Sequence, residues 1–236
     1  MIQVSSVTKK YGKMIANDHL DFTVSDGSIT VLLGPNGAGK STIIKSIIGF
    51  LKYEGRITID TYHNKTIRAK REIAYIPEIP SLYKNLTVAE HMEFIARAYQ
   101  LKNYKEYANQ LLERFELIDK MKKFGDELSK GMQQKLSVCC GLLPKPQNIL
   151  MDEPMIGLDP HAIKELKSIL SELKREGCAI LVSTHMIDSI DMLWDHTLIM
   201  QKGKITANIK RDDLANSDNS LEEIFFRITE GGEVCK

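Results

Sequence analysis

A glycine-rich octapeptide at residues 34–41 constrains the fold of this 236-residue chain more than any other feature. It reads Gly-Pro-Asn-Gly-Ala-Gly-Lys-Ser and fits the spacing G-x-x-x-x-G-K-S/T. An apolar run at 29–33 precedes it, and isoleucines at helical spacing follow from Thr42 onward. A strand, a glycine-rich loop and a helix in this order predict an α/β fold whose loop binds phosphate, in preference to an ordinary glycine-rich turn.

The positions of this loop have expected roles in holding a nucleoside triphosphate. Glycines let backbone N–H groups turn toward phosphate oxygens, and the helix N-terminus adds partial positive charge. We expect Lys40 to reach the β- and γ-phosphates and Ser41 to bind Mg²⁺. The residues of the loop predicted to contact the nucleotide are Gly34, Asn36, Gly37, Ala38, Gly39, Lys40, Ser41 and Thr42.

Apolar runs elsewhere predict the rest of an α/β sheet. The runs at 149–151 and 179–182 are each followed by small, polar or acidic residues, as is typical of buried parallel strands. Strands alternate with stretches of helical spacing, which favours a parallel sheet. The residues with helical spacing are Ile43, Ile44, Ile47, Ile48 and Leu51, then Ile163, Leu166, Ile169, Leu170 and Leu173.

The segment from about 82 to 146 differs, with no clear strand and three successive helical candidates. Thr87 and Glu90 form a capping box, and Ser220 and Glu223 form another before a last helix. The apolar faces comprise Val88, Met92, Ile95, Ala96 and Tyr99; Tyr107, Leu111, Leu112, Phe115 and Ile118; and Leu221, Ile224, Phe225 and Ile228. We predict a single domain, 1–236, with an α-helical subdomain at 83–146 inserted into an α/β core formed by 1–82 and 147–236.

Ionisable side chains follow two other predicted strands. Asp152 and Glu153 come after the strand at 148–151, and His185 follows the strand at 179–183, so all three should meet at the carboxyl edge of the sheet. Asp152 is expected to hold Mg²⁺ directly or through one of the ion's other ligands, and Glu153 to orient or deprotonate an attacking water. Alone, an Asp-Glu-Pro turn or a single histidine is more often structural or exposed. The phosphate loop upstream favours the functional interpretation.

Composition excludes several classes. With 43% hydrophobic residues, 27% charged residues and a formal net charge of +1, nothing predicts a nucleic acid or other polyanion as partner. A solvated helix end explains the short basic cluster of Lys120, Lys122 and Lys123 better than a phospholipid or nucleic-acid site. Neither a signal peptide nor an apolar span of about 18–20 residues is recognisable, so any membrane role is expected to use a partner. The cysteines fit neither a metal-binding pair nor a disulfide framework; they are Cys139, Cys140, Cys178 and Cys235.

Over essentially its whole length the chain resembles the nucleotide-binding subunit of an ATP-binding cassette (ABC) transporter. Residues 34–41 match the Walker A loop of that family, 148–153 match Walker B, and 157–159 match the loop after it. Residues 128–133, which open a helix, match the family signature and are called the signature segment below. His185 is similar to the switch histidine. The resemblance implies a P-loop NTPase (RecA-like) core with an N-terminal antiparallel β-subdomain.

The resemblance also implies a function. In a head-to-tail dimer, Ser129 and Gly131 of one subunit would complete an ATP site of the other, and the second subunit would be an identical or a related chain. The site to be completed comprises Lys40, Ser41, Asp152, Glu153 and His185. Hydrolysis of ATP with Mg²⁺ would then drive a separate integral membrane permease at the cytoplasmic face of the cell membrane. Tyr11 is similar to the aromatic on which adenine stacks, unless it is only a strand-end tyrosine of a small sheet.

Two segments depart from the family pattern. The signature has Lys130-Gly131-Met132 where Gly-Gly-Gln is usual, although Gly131 still permits close backbone approach to a phosphate. The loop that joins the core to the helical segment has Glu78 in place of the usual glutamine. A carboxylate there could meet Mg²⁺ or water but would repel phosphate oxygens, so Glu78 is either a metal contact or an exposed loop residue.

Both departures resemble the exporter branch of the family, which moves drugs, lipids or antimicrobial and toxic peptides. A soluble single-cassette ATPase, such as a cluster-assembly factor, is the alternative that chain length does not exclude. A non-hydrolysing module that uses ATP only to dimerise is a third hypothesis, and the presence of Lys40, Glu153 and His185 argues against it.

Overall fold

A computed structural model describes residues 1–190, 193–215 and 220–229. The strands within these ranges are β1 (Ile2–Tyr11), β2 (Met14–Val24), β3 (Ser28–Leu33), β4 (Glu54–Ile59), β5 (Tyr62–His63), β6 (Ile73–Ile76), β7 (Asn148–Asp152), β8 (Ala179–Thr184), β9 (His196–Gln201) and β10 (Lys204–Lys210). The helices are α1 (Lys40–Ile47), α2 (Ile67–Arg71), α3 (Val88–Ala98), α4 (Lys105–Arg114), α5 (Lys130–Leu142), α6 (Pro160–Arg175), α7 (Arg211–Ala215) and α8 (Leu221–Thr229).

A six-stranded sheet forms the centre of the fold, in the order β10-β9-β3-β8-β7-β6. All neighbours are parallel except β10, which pairs antiparallel with β9. Both β7 and β8 are buried along their whole length, because helices cover both faces of the sheet. The pairs Leu33↔Thr184 and Asp152↔Ser183 show that β3, β7 and β8 end together. The predicted convergence of three strand ends at one edge is therefore confirmed.

A second, four-stranded antiparallel sheet has the order β2-β1-β4-β5 and contains the N-terminal strands. Tyr11 pairs with Met14 where β1 turns into β2, and Gly12 at this turn has a φ of 58°, in the left-handed region that glycine adopts without strain. Its buried residues join the cluster that includes α1, so the sheet packs beside the phosphate loop. The predicted α/β class with an N-terminal antiparallel β-subdomain is confirmed.

Helices α3, α4 and α5 occupy the stretch between β6 and β7, as expected for the helical segment. The capping box of Thr87 and Glu90 forms at the start of α3, with Thr87 accepting from the Glu90 amide at 3.2 Å. The prediction for Ile118 is wrong, because α4 ends at Arg114 and Ile118 is 41% exposed. Glu116, with a φ of 56°, reverses the chain and turns Leu117 into the core instead.

Two other predicted helices also differ at their C-terminal ends. Helix α3 ends at Ala98, so Tyr99, which was predicted for its apolar face, follows the helix and is 39% exposed. Helix α1 ends at Ile47, and Gly49 with a φ of 83° follows in the left-handed region typical of a helix end, so Leu51 lies outside the helix. Helix α8 is confirmed with its capping pair, since Ser220 and Glu223 exchange side-chain-to-amide hydrogen bonds of 2.9 and 3.1 Å. No helix in the described part of the chain is long and apolar enough to cross a membrane. Cys139, Cys140 and Cys178 are free thiols, and Cys235 lies outside the described residues.

An ion-pair network attaches the helical segment to the core. Arg114 at the end of α4 donates to Glu165 at 3.0 Å and to Glu172 at 2.7 and 3.0 Å, both on α6. The hydrogen bonds from Arg114 lower the pKa of Glu172. This carboxylate therefore stabilises the fold fully above the ordinary glutamate pKa of 4.5, and the contribution is lost as the pH falls through the lowered pKa.

Removing this network should destabilise the protein modestly. We expect Arg114→Met to lower the free energy of unfolding by about 1 kcal/mol at pH 7, since a partly exposed network contributes little more than one surface pair. Thermal unfolding at pH 7 and pH 3.5 measures this, and the difference between wild type and variant should shrink at the lower pH. Arg97→Met, which breaks an exposed pair with Glu93 within α3, is the matched control and should have a smaller effect. Equal losses for both variants would contradict a special role for Arg114.

Candidate functional site

A cavity of about 650 Å³ lies at the carboxyl edge of the central sheet. The loop between β3 and α1 forms its floor, and residues from the ends of β1, β7 and β8 form its walls. The predicted site residues that line it are Tyr11, Asn36, Gly37, Ala38, Gly39, Lys40, Ser41, Thr42, Glu78, Glu153 and His185. Of the remaining predicted residues, Gly34 begins the phosphate loop and Asp152 lies at the adjoining end of β7, whereas Ser129 and Gly131 lie elsewhere.

Two glycines of the loop allow a close backbone approach that no other residue would permit. At Gly34 a Cβ atom would stand 2.3 Å from the Met200 carbonyl oxygen, and at Gly39 it would stand 2.5 Å from that of Ala16. Gly39 also has a φ of 107°. Any side chain at either position would force backbone apart, so the identity of these glycines follows from the packing of the loop.

Residues that the sequence analysis missed hold the loop from outside. The Asn17 amide group, fully buried in β2, donates to the Gly39 carbonyl at 3.1 Å. The Gly203 backbone N–H, in the turn between β9 and β10, donates to the Ala38 carbonyl at 2.9 Å. No motif marks these two residues, because their partners are distant in sequence.

Lys40 makes the central contacts of the cavity. Its Nζ donates to the Gly34 carbonyl at 2.7 Å and the Pro35 carbonyl at 3.3 Å, and lies 3.3 Å from Glu153 Oε1. Only 6% of each side chain of this ion pair is exposed. Because a buried charge is costly without a partner, removing either side chain should destabilise the fold around the other.

Oxygen ligands suitable for Mg²⁺ lie beside the lysine. Ser41 Oγ donates to Asp152 Oδ1 at 3.1 Å, and Ser183 Oγ donates to the same carboxylate oxygen at 2.6 Å. The Ser41 hydroxyl at the start of α1 and the Asp152 carboxylate at the end of β7 are hard oxygen donors of the kind that Mg²⁺ prefers. Ser183 was not predicted, although it lies in β8, the strand that His185 follows.

Glu153 and His185 form a hydrogen-bonded pair above the loop. His185 Nδ1 lies 2.9 Å from Glu153 Oε1, and the His185 amide donates to Oε2 at 3.3 Å. The Glu153 amide donates to the Ser183 carbonyl at 3.1 Å. Glu153 has a φ of 48°, a left-handed conformation that is uncommon for glutamate and typical of functional sites. The carboxylate is thus aimed at the phosphate loop by two neighbours and by its own backbone.

The end of the cavity beside the turn between β1 and β2 is apolar. Tyr11 is 44% exposed at the rim, and Met14 and Ile15 lie beside it with exposed side chains. Lys9 Nζ stands 4.6 Å from the centre of the Tyr11 ring, so a cation occupies one ring face. The other ring face and the two apolar side chains are of the type on which a flat aromatic group stacks, and the role of Tyr11 in binding adenine stays a prediction.

Glu78 is exposed and lines both this cavity and an adjoining groove. The nearby Tyr75 shows how close the acidic groups are. Burial first, and then the charges of Asp152 and Glu78, raise the pKa of Tyr75 to about 12. Glu78 therefore lies in the same electrostatic neighbourhood as Asp152, and its role as a metal contact stays a prediction.

The signature segment lies away from this cavity. Ser129 is the N-cap of α5, and its Oγ accepts from the Met132 amide at 3.3 Å. A Cβ atom at Gly131 would stand 2.7 Å from the Gly157 carbonyl oxygen, so the segment packs on the loop after β7. Ser129 is exposed, and neither residue lines the cavity of its own chain.

Comparisons with known proteins agree with this geometry. The "ABC transporter" family profile matches residues 17–156. The chain is 32% identical to EcsA, an ABC-type transporter ATP-binding protein of Bacillus subtilis, over 97% of this chain and 96% of EcsA. It is 34% identical to the bacitracin transport ATP-binding protein BcrA of Bacillus licheniformis, over 94% of this chain and 74% of BcrA.

A solved structure is similar to this chain in both sequence and fold. An ATP-binding subunit of an ABC transporter superposes with a TM-score of 0.91 at 35% identity, covering 97% of this chain and 99% of that subunit. Sequence and fold thus agree over nearly the full length of both chains. The agreement includes the phosphate loop, the carboxylates at the sheet edge and the helical segment. The chain belongs to the ABC transporter family, as one of its ATP-binding subunits.

Proposed function

We propose that two copies of this cassette, or one copy and a related chain, close around MgATP and hydrolyse it. The observation that carries the proposal is the division of the predicted site. Lys40, Glu153 and His185 meet in one cluster, whereas exposed Ser129 does not line the cavity of its own chain. Each cassette thus has half of a phosphate site in the cavity at the phosphate loop, and a separate anion-binding helix start at the N-terminus of α5.

The cluster suits hydrolysis of a phosphoanhydride. Backbone N–H groups of the loop and Lys40 bind the phosphates, which draws the ammonium group away from Glu153. Ser41 and Asp152 would hold Mg²⁺, which neutralises charge that develops on the phosphates. Glu153 then orients a water molecule and accepts its proton, while His185 holds the carboxylate in place. The products are ADP and phosphate.

We further propose that a membrane permease binds the groove beside the nucleotide cavity. This groove of about 560 Å³ collects large exposed apolar side chains, namely Phe50, Ile79, Tyr83, Phe94 and Tyr99. Such a patch is uncommon on a monomer and marks a docking surface. Ser41 and Glu78 line both groove and cavity, so a bound permease segment lies next to the metal-binding end. The permease would hold the cassette at the cytoplasmic face of the cell membrane.

Export of a drug, lipid or antimicrobial peptide is the transport direction that relatives support. Their names include a bacitracin transport protein, a linearmycin resistance protein and a lantibiotic transport protein.

We also propose that residues 83–146 move as a helical unit against a core of 1–82 and 147–236 within a single domain, 1–236. The helical unit carries both the signature segment and part of the groove wall, so it connects the second ATP site with the permease.

Complementation between two inactive variants tests the shared site. Lys40→Met and Ser129→Arg should each abolish ATP turnover, since every site of either homodimer has one defect. A 1:1 mixture should recover activity, up to about a quarter of the wild-type rate, because half of random dimers are mixed and each has one intact site. ATP turnover is measured for each variant alone and for the mixture.

A mixture as inactive as its components would contradict sharing, provided that circular dichroism shows both variants folded. In that event two identical copies do not share sites, and either the cassette works alone or a related chain supplies the second half. Mixing Lys40→Met with Glu153→Gln is the control and should recover nothing, since both defects lie in the same half-site.

The permease part needs its own test. An affinity-tagged chain extracted from its own cells in mild detergent should bring down an integral membrane protein that carries several spanning helices. Ile79→Asp, on the exposed edge of the groove, should lose that partner and keep its ATP turnover. Recovery of only soluble partners would instead favour the cluster-assembly type of ATPase.

Loss of the aromatic ring at residue 11 should weaken ATP binding. We expect Tyr11→Ala to raise KM for ATP about 10-fold, because stacking of a base on an aromatic ring contributes about 1–3 kcal/mol. Tyr11→Phe keeps the ring and should behave as wild type. Tyr62→Ala, at an exposed tyrosine of the same sheet, is the matched control. An unchanged KM in Tyr11→Ala would favour the interpretation of Tyr11 as a strand-end residue only.

A further inference from the structure

Gln134 connects two loops that carry acidic residues of the site. Its Nε2 donates to the Pro77 carbonyl at 3.4 Å and to the Pro154 carbonyl at 3.5 Å. Pro77 precedes Glu78, and Pro154 follows Glu153. One side chain of α5 thus touches both loops, although the three elements are far apart in sequence.

The buried side-chain amide of Gln134 lowers the stability of the fold. Gln134 is only 2% exposed, and its Oε1 accepts no hydrogen bond from any described residue. A buried acceptor without a partner lowers stability, so an apolar side chain of the same length would suit a purely structural position better. The cost points to a role for the two donated hydrogen bonds.

Two neighbours on α5 contact the same stretch of chain after Glu153. The Gly131 position packs on Gly157, leaving no room for a Cβ atom. Lys135 Nζ lies 2.7 Å from Asp159 Oδ2. The first two turns of α5 therefore contact residues 154–159 at three points, and α5 cannot turn without displacing the segment that follows Glu153.

We infer that Gln134 is a positioning residue that couples the two ATP sites of the dimer. The inference rests on the proposed function, in which the signature segment and Glu153 of one subunit serve different ATP molecules. When ATP engages Ser129 at one site, α5 shifts, and the Gln134 hydrogen bonds carry that shift to the Glu153 and Glu78 loops of the other site. Each site then turns over faster when the other is filled.

Cooperativity of ATP turnover is the measurement. Two coupled sites give a Hill coefficient approaching 2, and we expect the coefficient of Gln134→Met to fall to about 1, with a lower kcat. Lys135→Met removes a second contact point and should lower the coefficient part of the way. Both variants, combined with Glu153→Gln, should still form the dimer with ATP on a sizing column, since Ser129 is intact.

Asn148→Leu is the matched control. Asn148 is also a buried amide with two donated hydrogen bonds and an unpaired oxygen, but it lies at the other end of β7, roughly 13 Å from Asp152. This control makes the same kind of change at another buried amide and should keep the wild-type Hill coefficient, which separates coupling from the loss of a buried amide in general.

The outcomes distinguish the two proposals. If Glu153→Gln forms a dimer with ATP and wild type is cooperative, an unchanged coefficient in Gln134→Met overturns the role of Gln134 and leaves the shared site standing. A dimer whose wild-type turnover is not cooperative overturns it as well. If no dimer forms and the complementation of Lys40→Met with Ser129→Arg also fails, the proposed function falls together with the inference.

Discussion

Glu153→Gln is expected to lower ATP turnover by about 10²- to 10⁴-fold while ATP binding is retained. The substitution keeps the shape of the side chain but removes the carboxylate that lies 2.9 Å from His185 Nδ1 and 3.3 Å from Lys40 Nζ. Without this general base, bound ATP is not hydrolysed, and the two subunits that hold its γ-phosphate stay together. A sizing run with Mg-ATP should therefore show a dimer that wild type forms only transiently.

The control for this variant separates the loss of the Glu153 carboxylate from the loss of one negative charge elsewhere in the protein. Glu176→Gln makes the same change at the C-terminal end of α6, remote from the cavity, and should leave turnover unchanged. Full activity of Glu153→Gln would exclude Glu153 as the base. Slow turnover without a trapped dimer would mean that Glu153 mainly supports the fold of the loop.

Lys40→Met should have the second largest effect, lowering turnover by about 10³-fold through loss of ATP binding and of charge at the transferred phosphate. The ammonium group also partners a buried carboxylate, so its removal leaves Glu153 with His185 alone. We expect a loss of about 3 kcal/mol in unfolding free energy, since breaking a buried pair strands one charge.

Binding of a fluorescent ATP analogue and thermal unfolding without nucleotide measure the two effects separately. Lys45→Met, at an exposed lysine one turn further along the same helix, is the matched control and should change neither. Glu153→Gln added to Lys40→Met should recover part of the stability but none of the activity, because the stranded charge is gone. Tight ATP binding by Lys40→Met would contradict the assigned role.

Sequence alone predicted those parts of the site whose geometry is local. The strand-loop-helix order around residues 34–41 determines where the backbone amides and Lys40 must go, because neighbours in sequence set the loop. Asp152 and His185 follow buried strands directly, and parallel strands end at one edge. The helix caps Thr87 and Ser220 were likewise predictable, because each cap involves residues only three positions apart.

Boundaries and exposure were less predictable. Ile118 continued the apolar spacing of α4, but the left-handed residue Glu116 ended the pattern and exposed it. Glutamate carries no sequence signal for that conformation, whereas Gly49, which ends α1, does. Helical periodicity therefore indicated the faces of the helices better than their ends.

The chain by itself determined the family, the phosphate loop and the acidic strand ends, because these depend on residue types at fixed short spacings. Only the tertiary structure decided that Asn17 supports Gly39, that Ser183 orients Asp152, and that Gln134 joins the Pro77 and Pro154 loops. Each of these contacts joins residues 20 or more positions apart. Such pairs are selected by how strands and helices pack, which short-range patterns of hydrophobicity and turn residues do not encode.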